Sequence, residues 1–290
     1  MRINNNIPAL NTHRMLNINT ENMQKSLERL SSGKRINRAS DDAAGLAISQ
    51  KMDAQIRGLR QASRNSLDGI SLIQTAEGAL NEVHEMLQRM RELSVQGANG
   101  VYADEDLNAL SNEIRELTEQ IDKIASDTEF NGIKLLNGEV SGGLRLQIGA
   151  NEGQFIEVEM EDINIQVGSG ANELDIETAF LVKNAGKFEI VSGQLNSKNL
   201  ESAISTYNDA IERISSIRSR LGAFQNRLEH TIKNVDNTAE NLTASKSRIE
   251  DLDMAEEMSE FTKRNILQQA GTSMLSQANQ LPQMVLQLLQ

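Results

Sequence analysis

The chain has no cysteine and no tryptophan, only two prolines, and aromatic residues at 3% of its 290 positions. Each shortage removes a class of protein. Without cysteine there are no disulfides, thiolate metal sites or cysteine nucleophiles; the same lack suits a cytosolic protein or an exported one stabilised by other means. Proline stands only at Pro8 and Pro282, so no helix between them need lose an N–H bond or clash with its preceding turn. No apolar run approaches the roughly 20 residues of a membrane span. The start, MRINNNIPALNTHRM, has neither an apolar h-region nor an Ala-x-Ala-like site, so a cleavable secretory signal is not expected. Positive charge is short as well. A net charge of −12 argues against nucleic acid and membrane surfaces as partners, since both need a basic footprint.

What remains is Leu, Ile, Ala and Met, the residues of helix seams, in a chain long enough for one large or two modest domains. Leu107, Leu110, Ile114, Leu117, Ile121 and Ile124 alternate spacings of three and four, which places them on one helical stripe. A longer seam runs from Leu200 through Ile204, Tyr207, Ile211, Ile214, Leu221, Leu228, Ile232, Val235 and Ala239 to Leu242, with Arg218 and Gln225 at seam positions. At 1.5 Å per residue it spans roughly 65 Å. Leu80, Val83, Leu87 and Met90 mark a third helix. From Ala44 to Ala76 the composition is helical, but Gly45, Gly58 and Gly69 weaken it relative to alanine and suggest close helix approach. Ser40, followed by Asp41 and Asp42, predicts an N-cap with acids in the first turn, and a helix starting near residue 41.

From about 128 to 168 the pattern changes. Asn131-Gly132 and Asn137-Gly138 are turn dipeptides. Leu144, Leu146 and Ile148, then Ile156, Val158 and Met160, alternate with polar residues, which predicts a β-hairpin. Residues 168–193 show little periodicity and read as a short variable surface insertion.

No site for chemistry emerges. His84-Glu85-Met86-Leu87-Gln88 has glutamine where a zinc-binding helix needs its second histidine. There is no phosphate-binding glycine fingerprint and no Gly-x-Ser-x-Gly elbow. The acid pairs Asp104-Glu105 and Glu256-Glu257 read as solvated charge, and the sequon Asn241-Leu242-Thr243 has its leucine on the long seam. No catalytic, metal or cofactor-binding residue is assigned, and no enzyme is expected. The ends, in contrast, are apolar where chains usually fray. Ile3, Ile7 and Leu10 open one amphipathic stretch; Leu267, Met274, Ala278, Leu281, Val285 and Leu288 form another. Short helices alone are marginal in water, so both ends are expected to stay disordered until a partner surface covers them.

In LQRMRELSVQ, residues 87–96, the plain reading is a helix with Met90 on its seam. The other is a contact patch, with Arg89 and Leu93 four apart on one exposed face. Here the residues become recognisable. LERLSSGKRINRASDDAAGLAIS, DGISLIQTAEGAL, LQRMRELSVQ, FNGIKLL, SRIEDLDMAEEM and ILQQAGTSMLSQANQLPQMVLQLL resemble bacterial flagellin over about 1–165 and 195–290.

The resemblance implies a mainly α fold: long antiparallel coiled-coil helices forming a rod, with a small β-hairpin region and terminal helices pairing as an inner coiled coil. It implies an inner domain of 1–42 and 252–290, a helical domain of 43–167 and 194–251, and the insertion at 168–193. It implies a self-assembling protomer of the extracellular flagellar filament, exported unfolded through the flagellar export apparatus and polymerised at the tip. The partners implied are further copies of the chain, an export chaperone gripping Leu267 to Leu289, the filament cap and hook-filament junction proteins, and a host innate immune receptor of the Toll-like class. Receptor contact would fall on Arg89, Leu93 and Glu113; filament-core assembly and chaperone binding on Ile3, Ile7, Leu10 and the C-terminal stripe. A flagellin-like junction protein is the near alternative. An intracellular coiled-coil adaptor explains the heptads but not the uncovered ends, and a secreted enzyme lacks a site.

Overall fold

The computed structural model describes residues 6–138, 143–158, 163–168, 174–176, 178–184, 187–191 and 196–288, with the side chains of 184, 187 and 281–288 left aside. The fold is mainly α. Its elements are α1 (Ile7–Ser32), α2 (Ala43–Gly97), α3 (Asp104–Asp127), β1 (Glu129–Phe130), β2 (Ile133–Lys134), β3 (Leu144–Gln147), β4 (Phe155–Val158), β5 (Leu181–Asn184), β6 (Lys187–Ile190), α4 (Ser197–Glu250) and α5 (Met254–Leu288). Two compact units result: Met1–Ile56 with Ala239–Gln290, and Arg57–Thr238.

In Arg57–Thr238 the predicted seams are the core. Leu80, Val83, Leu87 and Met90 of α2 are buried, as are Leu107, Ile114 and Ile121 of α3. On α4 every seventh residue from Leu200 through Tyr207, Ile214 and Leu221 to Leu228 is buried, the repeat that keeps one helix face against its neighbours. Each such side chain contributes about 1.5–3 kcal/mol. The acids Asp104, Glu105 and Asp106 occupy the first turn of α3, where they face the positive end of the helix dipole; the pair read as solvated charge therefore also fixes a helix start.

α2 runs unbroken for 55 residues past its glycines, and their reason is space. A Cβ on Gly58 would lie 2.8 Å from that of Ala150, and one on Gly69 2.6 Å from Leu146 Cδ1. The β3–β4 hairpin, more than another helix, makes the close approach. That hairpin has the predicted alternation, Leu144 opposite Val158 and Leu146 opposite Ile156, with Ile156 and Val158 buried; Met160 lies outside the described residues. Asn131 and Gly132 both have positive φ, 51° and 79°, the type I′ turn that joins β1 to β2 in register with the strand twist.

Two expectations are corrected. The cap of α2 is Asp42, whose carboxylate accepts the Gly45 N–H at 2.8 Å, and the helix begins at Ala43. Asp41 instead accepts the N–H groups of Arg38 and Asn37, which hold its carboxyl below the usual range. Nor is the stretch after 168 a surface insertion throughout. Leu174, Ile176, Phe180, Leu181 and Phe188 are buried in the same cluster as the helix seams, and β6 packs on α3. Lys183 Nζ donates to Asp122 Oδ1 at 2.9 Å and to the Val167 carbonyl at 3.0 Å, while the Val167 N–H reaches the same Asp122 oxygen at 3.2 Å. Asp122→Ala leaves an ammonium and an amide without this acceptor. Loss of about 1–3 kcal/mol is expected, read as a lower urea midpoint at unchanged slope.

Candidate functional site

The first candidate lies in the unit formed by the two ends. Asn6 caps α1 by accepting the Ala9 N–H at 3.2 Å, with Pro8 in the first turn, where its missing N–H costs nothing. The same Asn6 donates to the Ala278 carbonyl of α5 at 2.8 Å. α1 ends at Gly33, whose φ of 69° and N–H to the Arg29 carbonyl close the last turn. α5 begins after Asp253, which accepts the Ala255 N–H at 2.9 Å, with Glu256 and Glu257 in its first turn. Between them the Leu252 N–H meets the Gly33 carbonyl at 3.1 Å and the Arg35 N–H meets the Glu250 carbonyl at 2.7 Å. The buried Glu250 is ion-paired with Lys34.

Small and polar groups help join α1 to α5, beside the half-buried Leu16, Met23, Leu30, Phe261 and Leu275. Arg264 Nη1 donates to the Asn22 carbonyl at 2.6 Å and to Ser26 Oγ at 3.0 Å, and Asn19 Nδ2 returns a bond to the Arg264 carbonyl at 2.8 Å. Ser26 is fully buried and Ala278 nearly so. Gly271 sits where a Cβ would come within 3.3 Å of Leu16 Cδ1. Ten large apolar groups are left uncovered: Ile7, Leu10, Met15, Ile18 and Leu27 on α1 and Met254, Met258, Ile266, Leu267 and Met274 on α5 are exposed, Leu10 by 63% and Met274 by 59%. Sequence spacing placed Leu267, Met274 and Ala278 on one stripe; the structure buries only Ala278. Ile3 lies outside the described residues. Leu281, Val285 and Leu288 fall within α5, but their side chains lie outside the described ones. Apolar periodicity misses the polar part of the seam; its one sequence signal is Ser26, set among the apolar Leu16, Met23, Leu27 and Leu30.

The second candidate is at Arg89. From α2, Arg89 reaches Glu113 of α3, with Nε and Nη2 at 3.0 and 2.9 Å from the same carboxylate oxygen. A weaker contact goes to Glu92 at 3.5 Å. The Glu113 hydrogen bond, then its charge, raise the guanidinium's already high pKa. Leu93 does not share this exposed face. It is 1% exposed, because it follows Met90 by three residues and continues the buried seam. The structure therefore joins Arg89 to Glu113 at the surface and puts Leu93 beneath them. Near by, the Gln88 amide lies 2.8 Å from His84 Nε2, one helical turn away. Among the described residues no group of three or more His, Cys, Asp or Glu is placed to hold a metal ion, and no helix is long and apolar enough to cross a membrane.

Comparison with known proteins gives consistent matches along the chain. A family model described as the bacterial flagellin N-terminal helical region matches residues 3–141, and one for the C-terminal helical region matches 204–289. A flagellin of Halalkalibacterium halodurans is 53% identical over 289 residues, and one of Bacillus subtilis 52% over 304, each alignment covering 100% of both chains. A solved structure ascribed to the flagellar hook-associated class, from Vibrio parahaemolyticus, has a TM-score of 0.56 at 14% identity, covering 73% of this chain and 100% of that one; it speaks to fold alone.

Proposed function

Because this chain belongs to the bacterial flagellins, structural proteins of the flagellar filament and not enzymes, we propose that the uncovered apolar flank of its α1–α5 pair is the surface through which identical chains assemble. One observation carries the reading: ten large apolar side chains stand exposed around a seam made of Ser26, Arg264, Gly271 and Ala278. Roughly half of each is still open to water, so full burial would return about 1 kcal/mol per side chain. Summed, that is comparable with the 4–15 kcal/mol association costs, so assembly is cooperative and concentration-dependent. A head-to-tail contact of this kind does not close, and an open helical filament results.

On this reading 1–42 and 252–290 act as the inner assembly domain and 43–167 with 194–251 as the outer one. The chain is exported unfolded, which an absence of cysteine suits, and added at the filament tip. An export chaperone covers residues 267–289 until then, and the cap and hook-filament junction proteins meet the same terminal helices. Full-length likeness to flagellins at 53 and 52% favours the filament protein over the junction protein. The test is negative-stain microscopy of purified chain as salt is raised. Screening of the −12 charge should bring on filaments, and a chain that stays monomeric at every salt concentration overturns the proposal.

Recognition of the free chain by a Toll-like receptor is part of the same proposal, with Arg89 and Glu113 as the accessible contacts and Leu93 acting through the packing that holds them. Arg89→Ala should shift the dose response of reporter cells by roughly tenfold or more, the size of an interface anchor. An unchanged response sinks that assignment.

A further inference from the structure

Eight of the eleven methionines lie in Met1–Ile56 and Ala239–Gln290, and three in the longer Arg57–Thr238 unit. Of those three, Met90 is fully buried in the core, Met86 is packed against it, and Met160 lies outside the described residues. In the terminal unit, Met15, Met254, Met258 and Met274 are among the ten exposed apolar side chains of α1 and α5. Met254 and Met258 are one turn apart and so share a face. With no cysteine in the chain, methionine is its readily oxidised sulfur. The unbranched thioether accounts for methionine on an adaptable contact surface; its redox chemistry is a separate property of the same atoms.

We propose that Met15, Met254, Met258 and Met274, spread along the uncovered flanks of α1 and α5, are the oxidation-sensitive groups through which a peroxide oxidant blocks assembly of the free chain. The sulfur attacks one peroxide oxygen, an S–O bond forms and the O–O bond breaks. Sulfur is oxidised by two electrons to the sulfoxide, and hydrogen peroxide leaves as water. The product is polar and chiral where an apolar side chain must be buried. Each sulfoxide buried without a partner should weaken the contact about tenfold. Met90 is sheltered, so the Arg57–Thr238 core survives a dose that modifies these four. Methionine sulfoxide reductases would reverse the block.

This inference rests on the assembly reading above, and the experiment separates the two. Full-length chain is treated with hydrogen peroxide until peptide mass spectrometry finds sulfoxide at the four positions. Its critical concentration for polymerisation is then measured by sedimentation. Alongside are untreated chain, treated chain repaired by reductases for both sulfoxide epimers, and a treated variant carrying Leu at all four positions. The expected result is a rise of at least about tenfold, undone by repair and absent from the leucine variant. Assembly of the fully modified chain at the untreated concentration overturns the inference, as does an equal loss in the leucine variant. If the leucine variant itself does not assemble, recovery on repair upholds the inference and failure to recover overturns it. Untreated chain that never polymerises removes the assembly reading itself, whatever peroxide does.

Discussion

A chain ending at Leu267 should fold normally through Arg57–Thr238 and form no filaments. The deletion takes the last 21 residues of α5, and with them Gly271, Met274 and Ala278. α1 then loses the acceptor of its Asn6 side chain at Ala278 and the small surface against Leu16. The bonds of Arg264 to Asn22 and Ser26 remain, so the second half of α1 keeps a partner. The bond of Asn19 to the Arg264 carbonyl also remains, but the part before it, from Ile7 to about Ile18, keeps no such bond, and a helix of that length alone is marginal in water. Circular dichroism should therefore lose more helix than the deleted residues account for. The melting of the Arg57–Thr238 core should stay where it was, because that core draws on Leu72 through Leu228. Sedimentation should find only monomer at concentrations where the full chain polymerises. Normal filaments in micrographs of the truncated chain would place the assembly surface elsewhere.

The core was readable because its signal is local and periodic. Heptad spacing from Leu200 to Leu228, the three-four seam of α3 and the Asn131-Gly132 turn each act within one element. What could not be read depended on which stripe of a helix faces inward. Leu267 and Met274 look like core by spacing, yet α1 and α5 meet partly through Ser26, Arg264 and Ala278, in bonds 238 and 272 residues apart in sequence that apolar periodicity does not register. At Leu93 the information was present. It stands three residues after Met90 and so continues the seam, and pairing it with Arg89 by spacing alone ignored that. Ser40 and Asp42 are both good caps; only the position of Gly45, where a Cβ would strike the Asp42 carboxylate, decides between them.

The second large effect falls where the sequence reading was corrected. Phe180→Ala should cost about 3–5 kcal/mol, whereas a residue on a variable surface loop costs within about 0.5 kcal/mol. Phe180 is fully buried, its carbonyl accepts the Val191 N–H at 2.9 Å, and Leu174 and Ile176 line up before it at alternate positions. That alternation, Leu174, Ile176, Thr178 and Phe180 with a polar residue in third place, is the strand-like signal that the neighbouring glycines and asparagines obscured. β5 and β6 are only four residues each and form an isolated pair, and an isolated hairpin is marginal in water; their order therefore depends on the packing of β6 on α3 and on the apolar groups they add to the common core. Removing the phenyl ring leaves a cavity that the long helices, held by their own seams, cannot collapse to fill. The loss should appear as a lower urea midpoint for the Arg57–Thr238 unit, with faster hydrogen exchange at Leu181 and Val191 before α3 or α4 exchange. A midpoint unchanged within error would return this stretch to the surface.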